Sequence, residues 1–257
     1  MNQRSSTDLL ICGAGAAGLT LAVELGRRGV NFRVIEKMAD PFRGSRGKGI
    51  QPRTLEVFED LSIVDRVVAS GGPYPPQREY LADGSYQDTP LMEVHASAPE
   101  EPYQIPLMLP QFLTESLLRE RLTELGHRPE FGCELTGLQQ DGEGVTATIA
   151  SAKGEETVGA RYLVGSDGGH SFVRSALKIE FPGKTLGVRA MVADVIATGF
   201  SRDVWHRFNE GSMENQISIC PLAGTEMFQL QGPVSLEGDI DLSAEGLSAL
   251  VTQRTGR

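Results

Sequence analysis

The chain has 257 residues, of which 40% are hydrophobic and 23% are charged, and its formal net charge is −10. This length allows one large domain or two modest ones, and the composition is that of an ordinary globular protein. Because nucleic acids and anionic membranes repel a strongly acidic chain, the charge argues against both as partners.

The first 36 residues predict a β-α-β unit. A short buried strand is predicted at Asp8–Gly13, a helix at Gly15–Gly29 and a second strand at Asn31–Glu36. A crossover of this kind makes the two strands parallel.

The glycines between the first strand and the helix have the spacing of a phosphate-binding loop. Gly13 allows a tight turn, Gly15 lets the backbone approach a phosphate, and Gly18 lets the helix pack closely on the sheet. Ala16 and Ala17 complete the loop, and the helix amino terminus offers N–H groups and a partial positive charge. The pattern predicts a site for a dinucleotide pyrophosphate, with a turn that holds no ligand as the alternative.

Glu36 ends the second predicted strand, about 20 residues beyond the glycines, and Lys37 follows it. A carboxylate at this position can accept hydrogen bonds from both hydroxyls of an adenosine ribose, and it repels a 2′-phosphate. This favours FAD or NAD over NADP, whereas a solvated acid at a strand end is the simpler alternative.

A basic cluster stands out in this acidic chain just after the β-α-β unit. It consists of Arg43, Arg46, Lys48 and Arg53, in and beside a loop at 41–51. An arginine here could hold a pyrophosphate through two hydrogen bonds, and Arg46 is the preferred candidate. The alternative is a solvated basic loop.

The middle of the chain alternates between helical and strand patterns. The segment Pro73-Tyr74-Pro75-Pro76 breaks this alternation and predicts a crossing between domains. The predicted elements are a helix from Pro52 to Leu61, a helix from Ile63 to Ala69, a hairpin of Arg78–Leu81 and Ser85–Asp88, a strand at Gln104–Leu109, and a helix at Pro110–Leu125.

The stretch Glu130–Val164 predicts an antiparallel meander of three strands. After it, Asp167-Gly168 lies in a turn that precedes a short helix ending at Leu177. The aspartate could accept a hydrogen bond from a ribityl hydroxyl, and the glycine allows a ligand to approach the backbone closely. An ordinary turn explains the same residues.

A second sheet-based region is predicted beyond Phe181, closed by a helix at Ser243–Thr252. Its predicted strands are Val188–Ile196, Val204–Phe208, Gln216–Cys220 and Glu226–Leu230.

The cysteines and histidines indicate neither a disulfide framework nor a metal centre. Cys12, Cys133 and Cys220 lie far apart and predict reduced thiols in a cytoplasmic protein. No metal-ligand spacing is present, and no stretch is long and apolar enough to span a bilayer. His170 and His206 lack a paired carboxylate or nucleophile, so both are interpreted as structural.

Four stretches together resemble one family, and in this order they span most of residues 8–177. The chain resembles the single-component flavoprotein aromatic hydroxylases, typified by p-hydroxybenzoate hydroxylase, and within them the polyketide-tailoring, phenol and rifampicin monooxygenase branch. The stretches are Gly13–Gly18 with Glu36-Lys37, Ser45–Glu56, Pro110–Glu115 with Leu118, and Gly165–Ser171 with Val173-Arg174.

The resemblance implies an α/β fold with two parts. A Rossmann-like FAD-binding domain of the GR2 type, with a β-meander, is expected at 1–72 and 98–180, and a β-sheet-rich substrate domain at 73–97 and 181–257. By the same resemblance Arg46 and Gln111 should contact FAD, and Asp167-Gly168 should be the shared flavin and pyridine-nucleotide motif. The strands after Phe181 should cover the substrate cavity.

The reaction implied by the resemblance uses FAD as cofactor and NAD(P)H as co-substrate. NAD(P)H reduces the flavin, O2 adds at its C4a atom, and the hydroperoxide hydroxylates a phenolic or polyketide-type aromatic substrate. Because the cofactor carries this chemistry, no catalytic side chain is assigned.

The family also has a downstream flavin motif, Gly-Asp followed by Ala-His and a Pro/Gly-rich run, which does not occur before Arg257. We therefore expect this chain to be the N-terminal part of the family fold, either truncated or one half of a split enzyme. Its expected partners are a second copy of the chain in a homodimer or a partner polypeptide that supplies the missing C-terminal part. Two alternatives stay open. One is a non-hydroxylating flavin oxidoreductase or halogenase, whose required lysine the sequence does not place. The other is a non-catalytic subunit that needs a partner.

Overall fold

A computed structural model describes residues 5–93 and 98–257 of the chain. Residues 1–4 and 94–97 fall within the predicted domain ranges 1–72 and 73–97 and lie outside the described residues. Within the described ranges no helix combines the length and the apolar character that crossing a bilayer requires.

The predicted helices and strands occur in the predicted order, with two short strands added: one at Gly49–Ile50, within the loop predicted at 41–51, and one at Glu130–Phe131, before the meander. The strand predicted at Gln104–Leu109 is shorter than expected and covers only Leu107–Met108. The strands are β1 (Ser5–Cys12), β2 (Phe32–Glu36), β3 (Gly49–Ile50), β4 (Gln77–Tyr80), β5 (Tyr86–Thr89), β6 (Leu107–Met108), β7 (Glu130–Phe131), β8 (Glu134–Gln140), β9 (Val145–Ser151), β10 (Gly154–Gly165), β11 (Arg189–Val195), β12 (Trp205–Phe208), β13 (Ile217–Pro221) and β14 (Phe228–Val234). The helices are α1 (Ala16–Arg27), α2 (Pro52–Asp60), α3 (Val64–Ser70), α4 (Gln111–Glu124), α5 (Phe172–Ala176) and α6 (Ala244–Thr255).

The chain divides into two compact units. The first comprises Met1–Arg43, Leu61–Ile63 and Phe112–Pro182, and the second comprises Gly44–Asp60, Val64–Gln111 and Gly183–Arg257. The sequence-based ranges placed 44–60, 64–72 and 98–111 with the FAD-binding part, and in this division these segments lie in the second unit. Hydrogen bonds to the second sheet explain this placement, because Ser45 N donates to Asp194 on β11 and Lys48 Nζ donates to Gln229 on β14, and β6 joins the same loop by pairing with β3. The assignment of the FAD-binding domain itself stays a prediction.

The first unit is built on one sheet with the strand order β7-β2-β1-β10-β9-β8. β1 pairs in parallel with both β2 and β10, and β10, β9 and β8 form the predicted antiparallel meander. Cys12 at the end of β1 is in register with Ile35 and with Gly165. The carboxyl ends of three parallel strands therefore meet at one edge, where ligands bind in open α/β sheets.

The second unit contains a six-stranded sheet with the order β11-β14-β13-β12-β4-β5. One face of this sheet is a hydrophobic core that includes Phe208, Ile217, Leu230 and Leu247, the last of which is on α6. Side chains alternate between the two faces of a strand, so the opposite face carries a different set of residues.

The difference between the two faces predicts the effect of two neighbouring substitutions. Leu230 is 1% exposed in the core face, so Leu230→Ala should lower the free energy of unfolding by about 2–5 kcal/mol. Val192 pairs with Gln231 on the opposite face and is 51% exposed, so Val192→Ala should cost less than about 1 kcal/mol. Urea unfolding of both variants measures this, and equal losses would contradict the assignment of the faces.

Candidate functional site

The candidate site begins at the loop between β1 and α1. α1 starts after Gly15, which has no side chain to cap the helix, and the first turn carries no acidic residue. The first N–H groups of a helix have no partner within the helix. The amino end of α1 is therefore a positive terminus to which Gly15 supplies no side-chain acceptor.

Gly13 and Gly18 are required by contacts within the protein. Gly13 has a φ of +107°, and a Cβ there would overlap the carbonyl oxygen of Ser166. A Cβ at Gly18 would overlap the carbonyl oxygen of Gly13 and lie 2.7 Å from Ser166 Oγ. Both positions thus need glycine for folding, whatever they bind.

Gly15 differs from the other two glycines of the loop. Its φ of −77° suits any residue, and a Cβ there would meet only Glu115 Oε1, at 3.8 Å. Nothing in the described part of the chain requires glycine at this position. The space in front of Gly15 therefore fits the close approach of a phosphate to the backbone, which is the role of the second glycine in dinucleotide-binding loops.

Glu36 is anchored beside this loop. Its Oε2 accepts a hydrogen bond from Ala14 N at 2.9 Å, and its Oε1 accepts one from Met38 N at 3.0 Å. Each carboxylate oxygen has a second lone pair, so the held carboxylate can still accept sugar hydroxyls. Lys37 is exposed next to it.

Asp167 shapes the start of α5. Its Oδ1 accepts from Ser171 Oγ at 2.6 Å and its Oδ2 accepts from Val173 N at 3.1 Å. The N-cap of α5 is Ser171, and the neighbouring His170 is exposed. Gly168 has a φ of +82° and open space where a Cβ would be, which leaves this turn accessible.

Ser166 is a site residue to which the sequence analysis gave no role. Its backbone N donates to Cys12 O at 2.8 Å, and its Oγ lies 2.9 Å from Cys12 O and 3.0 Å from Gly13 O. These bonds join the end of β10 to the end of β1 and bring the turn at Asp167 against the glycine loop. The signal was present in the motif Gly165–Ser171, whose role was attributed to Asp167 and Gly168.

The carboxylates of Glu36 and Asp167 both raise the pKa of one buried thiol, that of Cys12. Burial, and then the negative charges of Asp167 and Glu36, raise the pKa of Cys12 to about 12. The two acids therefore converge on the carboxyl end of β1, and Lys37 partly offsets their effect. Acceptors for hydroxyl groups thus lie on both sides of a positive helix end, an arrangement suited to a diphosphate that carries sugar-like groups.

Arg46 and Gln111 belong to the second unit. Gln111 N donates to Gly47 O at 2.9 Å, and a side chain at Gly47 would lie 3.8 Å from Gln111 Oε1. Arg46 is exposed on the same loop. The structure therefore places these two candidate residues beside each other, while Gly13, Glu36 and Asp167 gather in the first unit.

His206, which the sequence analysis interpreted as structural, is 1% exposed in the core of the second unit. Its Nε2 lies 2.9 Å from Ser201 O, a carbonyl that can only accept, so Nε2 donates and Nδ1 accepts from the Tyr80 hydroxyl at 2.8 Å. Burial lowers the pKa of His206. Both ring nitrogens are used within the fold, as a structural histidine requires.

Comparison with known proteins shows which family the chain is similar to. A family described as FAD binding domain matches residues 6–239. A flavin-dependent monooxygenase of Mycobacteroides abscessus is 37% identical over 255 residues, which cover 97% of this chain and 54% of that protein. A rifampicin monooxygenase of Streptomyces venezuelae is 34% identical over 200 residues, covering 77% of this chain and 39% of the relative.

A solved structure of the flavin-dependent monooxygenase PieE, in complex with FAD and substrate, has a similar fold. The TM-score is 0.82 with 25% sequence identity, and the match covers 100% of this chain and 48% of that one. The chain thus spans about half the length, or less, of the relatives that it matches.

The glycine loop predicts opposite outcomes for two substitutions. Gly15→Val should leave the melting temperature nearly unchanged, because the position is unstrained and open, but should weaken FAD binding at least about 100-fold by occupying the phosphate position. Gly13→Ala should instead lower the free energy of unfolding by about 2 kcal/mol or more, because its Cβ overlaps Ser166. Thermal melts and FAD titrations separate the two effects. Normal FAD affinity in Gly15→Val would contradict the placement of the pyrophosphate.

Proposed function

The chain belongs to the FAD binding domain family, and from that premise we propose that it is the cofactor-holding part of a monooxygenase that hydroxylates an aromatic substrate with NAD(P)H and O2. The family match and the monooxygenase relatives confirm three predictions: the family, an α/β fold, and FAD as the cofactor. The aromatic substrate and the reductant are part of the proposal. A rifampicin monooxygenase among the relatives of the chain supports the monooxygenase activity.

The observation that carries the proposal is the difference between Gly15 and its two neighbouring glycines. Gly13 and Gly18 are explained by contacts within the fold, whereas Gly15 faces open space at the amino end of α1. We propose that the pyrophosphate of FAD occupies this space. It would accept hydrogen bonds from the first N–H groups of the helix, at Ala16 and Ala17.

The acids on either side of the loop are proposed to bind the hydroxyl-bearing parts of the cofactor. Glu36 would accept hydrogen bonds from the adenosine ribose hydroxyls, because the hydrogen bond from Ala14 N already holds its carboxylate beside the loop. Asp167 and Gly168 would contact the ribityl chain from the turn that Ser166 ties to β1. By the family resemblance, Arg46, Gln111 and Lys37 remain proposed contacts of FAD.

FAD, when bound, would supply the electron transfer and oxygen activation that amino-acid side chains cannot provide. The tasks of this chain are to bind the cofactor, to orient it and to keep water from the reacting groups. Accordingly, no residue of the first unit is assigned a proton-transfer step. The acids identified there serve as hydrogen-bond acceptors.

The proposal is tested on the purified 257-residue chain by its visible absorption and by the oxidation of NADH and NADPH. We expect a flavin spectrum with one FAD per chain and NAD(P)H oxidation that phenolic compounds stimulate. A chain that binds FAD only when a second polypeptide is added would support the alternative of a subunit that needs a partner. A chain that takes up FAD under neither condition would overturn the proposal.

Glu36→Ala should weaken the binding of FAD and of ADP alike, by about 10- to 100-fold, because both ligands carry the adenosine ribose and each hydrogen bond to a charged acceptor contributes about 1.5–3 kcal/mol. Isothermal titration with each ligand measures the two affinities. Glu155→Ala, which removes an exposed acid from β10, is the matched control and should change neither.

Because Glu36 also accepts from Ala14 N and Met38 N, the stability of the variant is measured in parallel. Glu36→Gln, which keeps one acceptor oxygen, should give intermediate affinities. Unchanged ADP binding in a folded Glu36→Ala variant would show that this acid does not hold the ribose.

A further inference from the structure

The β4–β5 hairpin forms one edge of the second unit's sheet. In the strand order, β5 pairs only with β4, and β4 is joined to the rest of the sheet by its parallel pairing with β12 over Gln77–Tyr80. All residues of β5 are exposed. Because only one strand pairing holds it, the hairpin can separate from β12 while the other strands of the sheet stay paired.

Tyr80 is the side chain by which the hairpin joins the hydrophobic core of this unit. Its ring is stacked on the Phe208 ring with the ring centres 4.2 Å apart, and its hydroxyl lies 2.8 Å from His206 Nδ1. Both partners are on β12. A second side-chain hydrogen bond, from Arg207 Nη1 to Gln77 Oε1, involves no group that titrates near neutral pH. The contact with His206 is therefore the part of the attachment that can respond to pH.

The hydrogen bonds of His206 require a neutral ring. Nε2 donates to Ser201 O, so Nδ1 keeps a lone pair, which accepts from the Tyr80 hydroxyl. A second proton on the ring would occupy Nδ1, and within the described residues the hydroxyl has no other hydrogen-bond partner. The other neighbours of the ring are apolar: Ile219, in register on β13, and Phe200, whose ring centre is 5.2 Å away.

Three charged residues from neighbouring elements act on this imidazole. They are Arg78 on β4, Asp88 on β5 and Arg257, which follows α6. The two arginines disfavour a positive charge on His206. Asp88 favours it, but both oxygens of its carboxylate already accept hydrogen bonds from Arg78, at 2.7 Å each. An imidazolium at this position would therefore have like charges near it and only a carboxylate that is already paired.

The sign of the pH dependence follows from this environment. Burial, and then the charges of Arg257 and Arg78, lower the pKa of His206 below its ordinary value of 6.5, although the hydrogen bond to Ser201 opposes the shift. The closed hairpin thus binds the proton more weakly than an opened one, in which water reaches the ring. The closed form keeps its full stability above about pH 6.5 and loses it as the pH falls below this value.

The ion pair inside the hairpin does not titrate in the same range. The hydrogen bonds from Arg78 lower the pKa of Asp88 below its ordinary value, so this carboxylate stays charged while His206 takes up its proton. Mild acid therefore acts on the contact between the hairpin and β12 and leaves the hairpin itself intact.

We propose that the contact between His206 and Tyr80 is an acid-sensitive latch, which holds the β4–β5 hairpin on β12 at neutral pH and releases it when the imidazole takes up a proton. In this step a proton from solvent forms a bond with the lone pair of Nδ1, and the ring becomes positively charged. The Tyr80 hydroxyl loses its acceptor and donates to water once the hairpin has opened. The latch is a property of the second unit and requires neither FAD nor a substrate.

Hydrogen–deuterium exchange of the 257-residue chain measures the opening of the hairpin directly. Below about pH 6 the opening constant of the amides in 77–89, corrected for the intrinsic exchange rate, should rise by up to about 10-fold per pH unit, because one proton is taken up on opening. The amides of β8 and β9 in the first unit should show no such rise.

Trp205 gives a second readout, because it is the only tryptophan of the chain and its backbone N donates to Pro76 O at 2.8 Å, just before β4. Separation of the hairpin breaks this bond beside the ring. Its fluorescence should therefore change with the same midpoint in pH as the exchange of the hairpin.

Three variants separate the latch from general acid effects. His206→Gln keeps a polar side chain that cannot take up a proton in this range, so the exchange of the hairpin should lose its pH dependence. Tyr80→Phe removes the hydroxyl, so the hairpin should open more often at neutral pH and depend less on pH. His170→Gln, at an exposed position of the first unit, is the control and should keep the full pH dependence.

Hairpin exchange that does not change between about pH 5 and 8, or an equal pH dependence in a folded His206→Gln variant, would overturn the inference. If that variant does not fold, NMR titration of the histidine rings in the unchanged chain decides instead. The ionisation of His206 should then coincide with the onset of hairpin exchange, and ionisation with the hairpin still closed would overturn the latch. Either result leaves the proposed function untouched, since the flavin spectrum tests that function separately.

Discussion

The packing of Gly13 against Ser166 is the contact on which the first unit's site depends. Only a residue without a side chain fits between these two strand ends, and the hydrogen bonds of Ser166 to Cys12 and Gly13 hold them together. This contact brings the turn at Asp167 to the same edge as Glu36, because β1 lies between β10 and β2. Without it, the acids that flank the amino end of α1 would have no fixed separation.

The second unit uses its sheet in two different ways. One face is an apolar core with α6, and the other presents hydrogen-bonding and aromatic side chains to the loop that contains Ser45 and Lys48. The loop and the sheet exchange hydrogen bonds through a buried glutamine, Gln229, which holds Lys48 against the ring of Trp205.

Most of the local structure could be predicted from the chain, because periodicity and turn residues are local signals. The β-α-β unit, the meander and the N-terminal position of the glycine loop all follow from such signals. The same reasoning could not separate the three glycines by role. Gly18 was expected to pack against the sheet and does so through Gly13, but only coordinates show that Gly15 alone has free space in front of it. Ser166 was overlooked because its partners, Cys12 and Gly13, are more than 150 residues away along the chain.

The sequence by itself determined the β-α-β unit, the acid at the end of β2 and the family, since these depend on residue types at fixed short spacings. Tertiary structure decided which distant segments share a unit. Residues 44–60 and 98–111 lie in the second unit because Ser45 and Lys48 bond to Asp194 and Gln229 of its sheet and β6 pairs with β3, which hydrophobic periodicity does not reveal. It also decided that Lys48, one of four basic residues in and beside one loop, lies on the ring of Trp205, a contact between residues far apart in the chain that only sheet pairing and loop closure create.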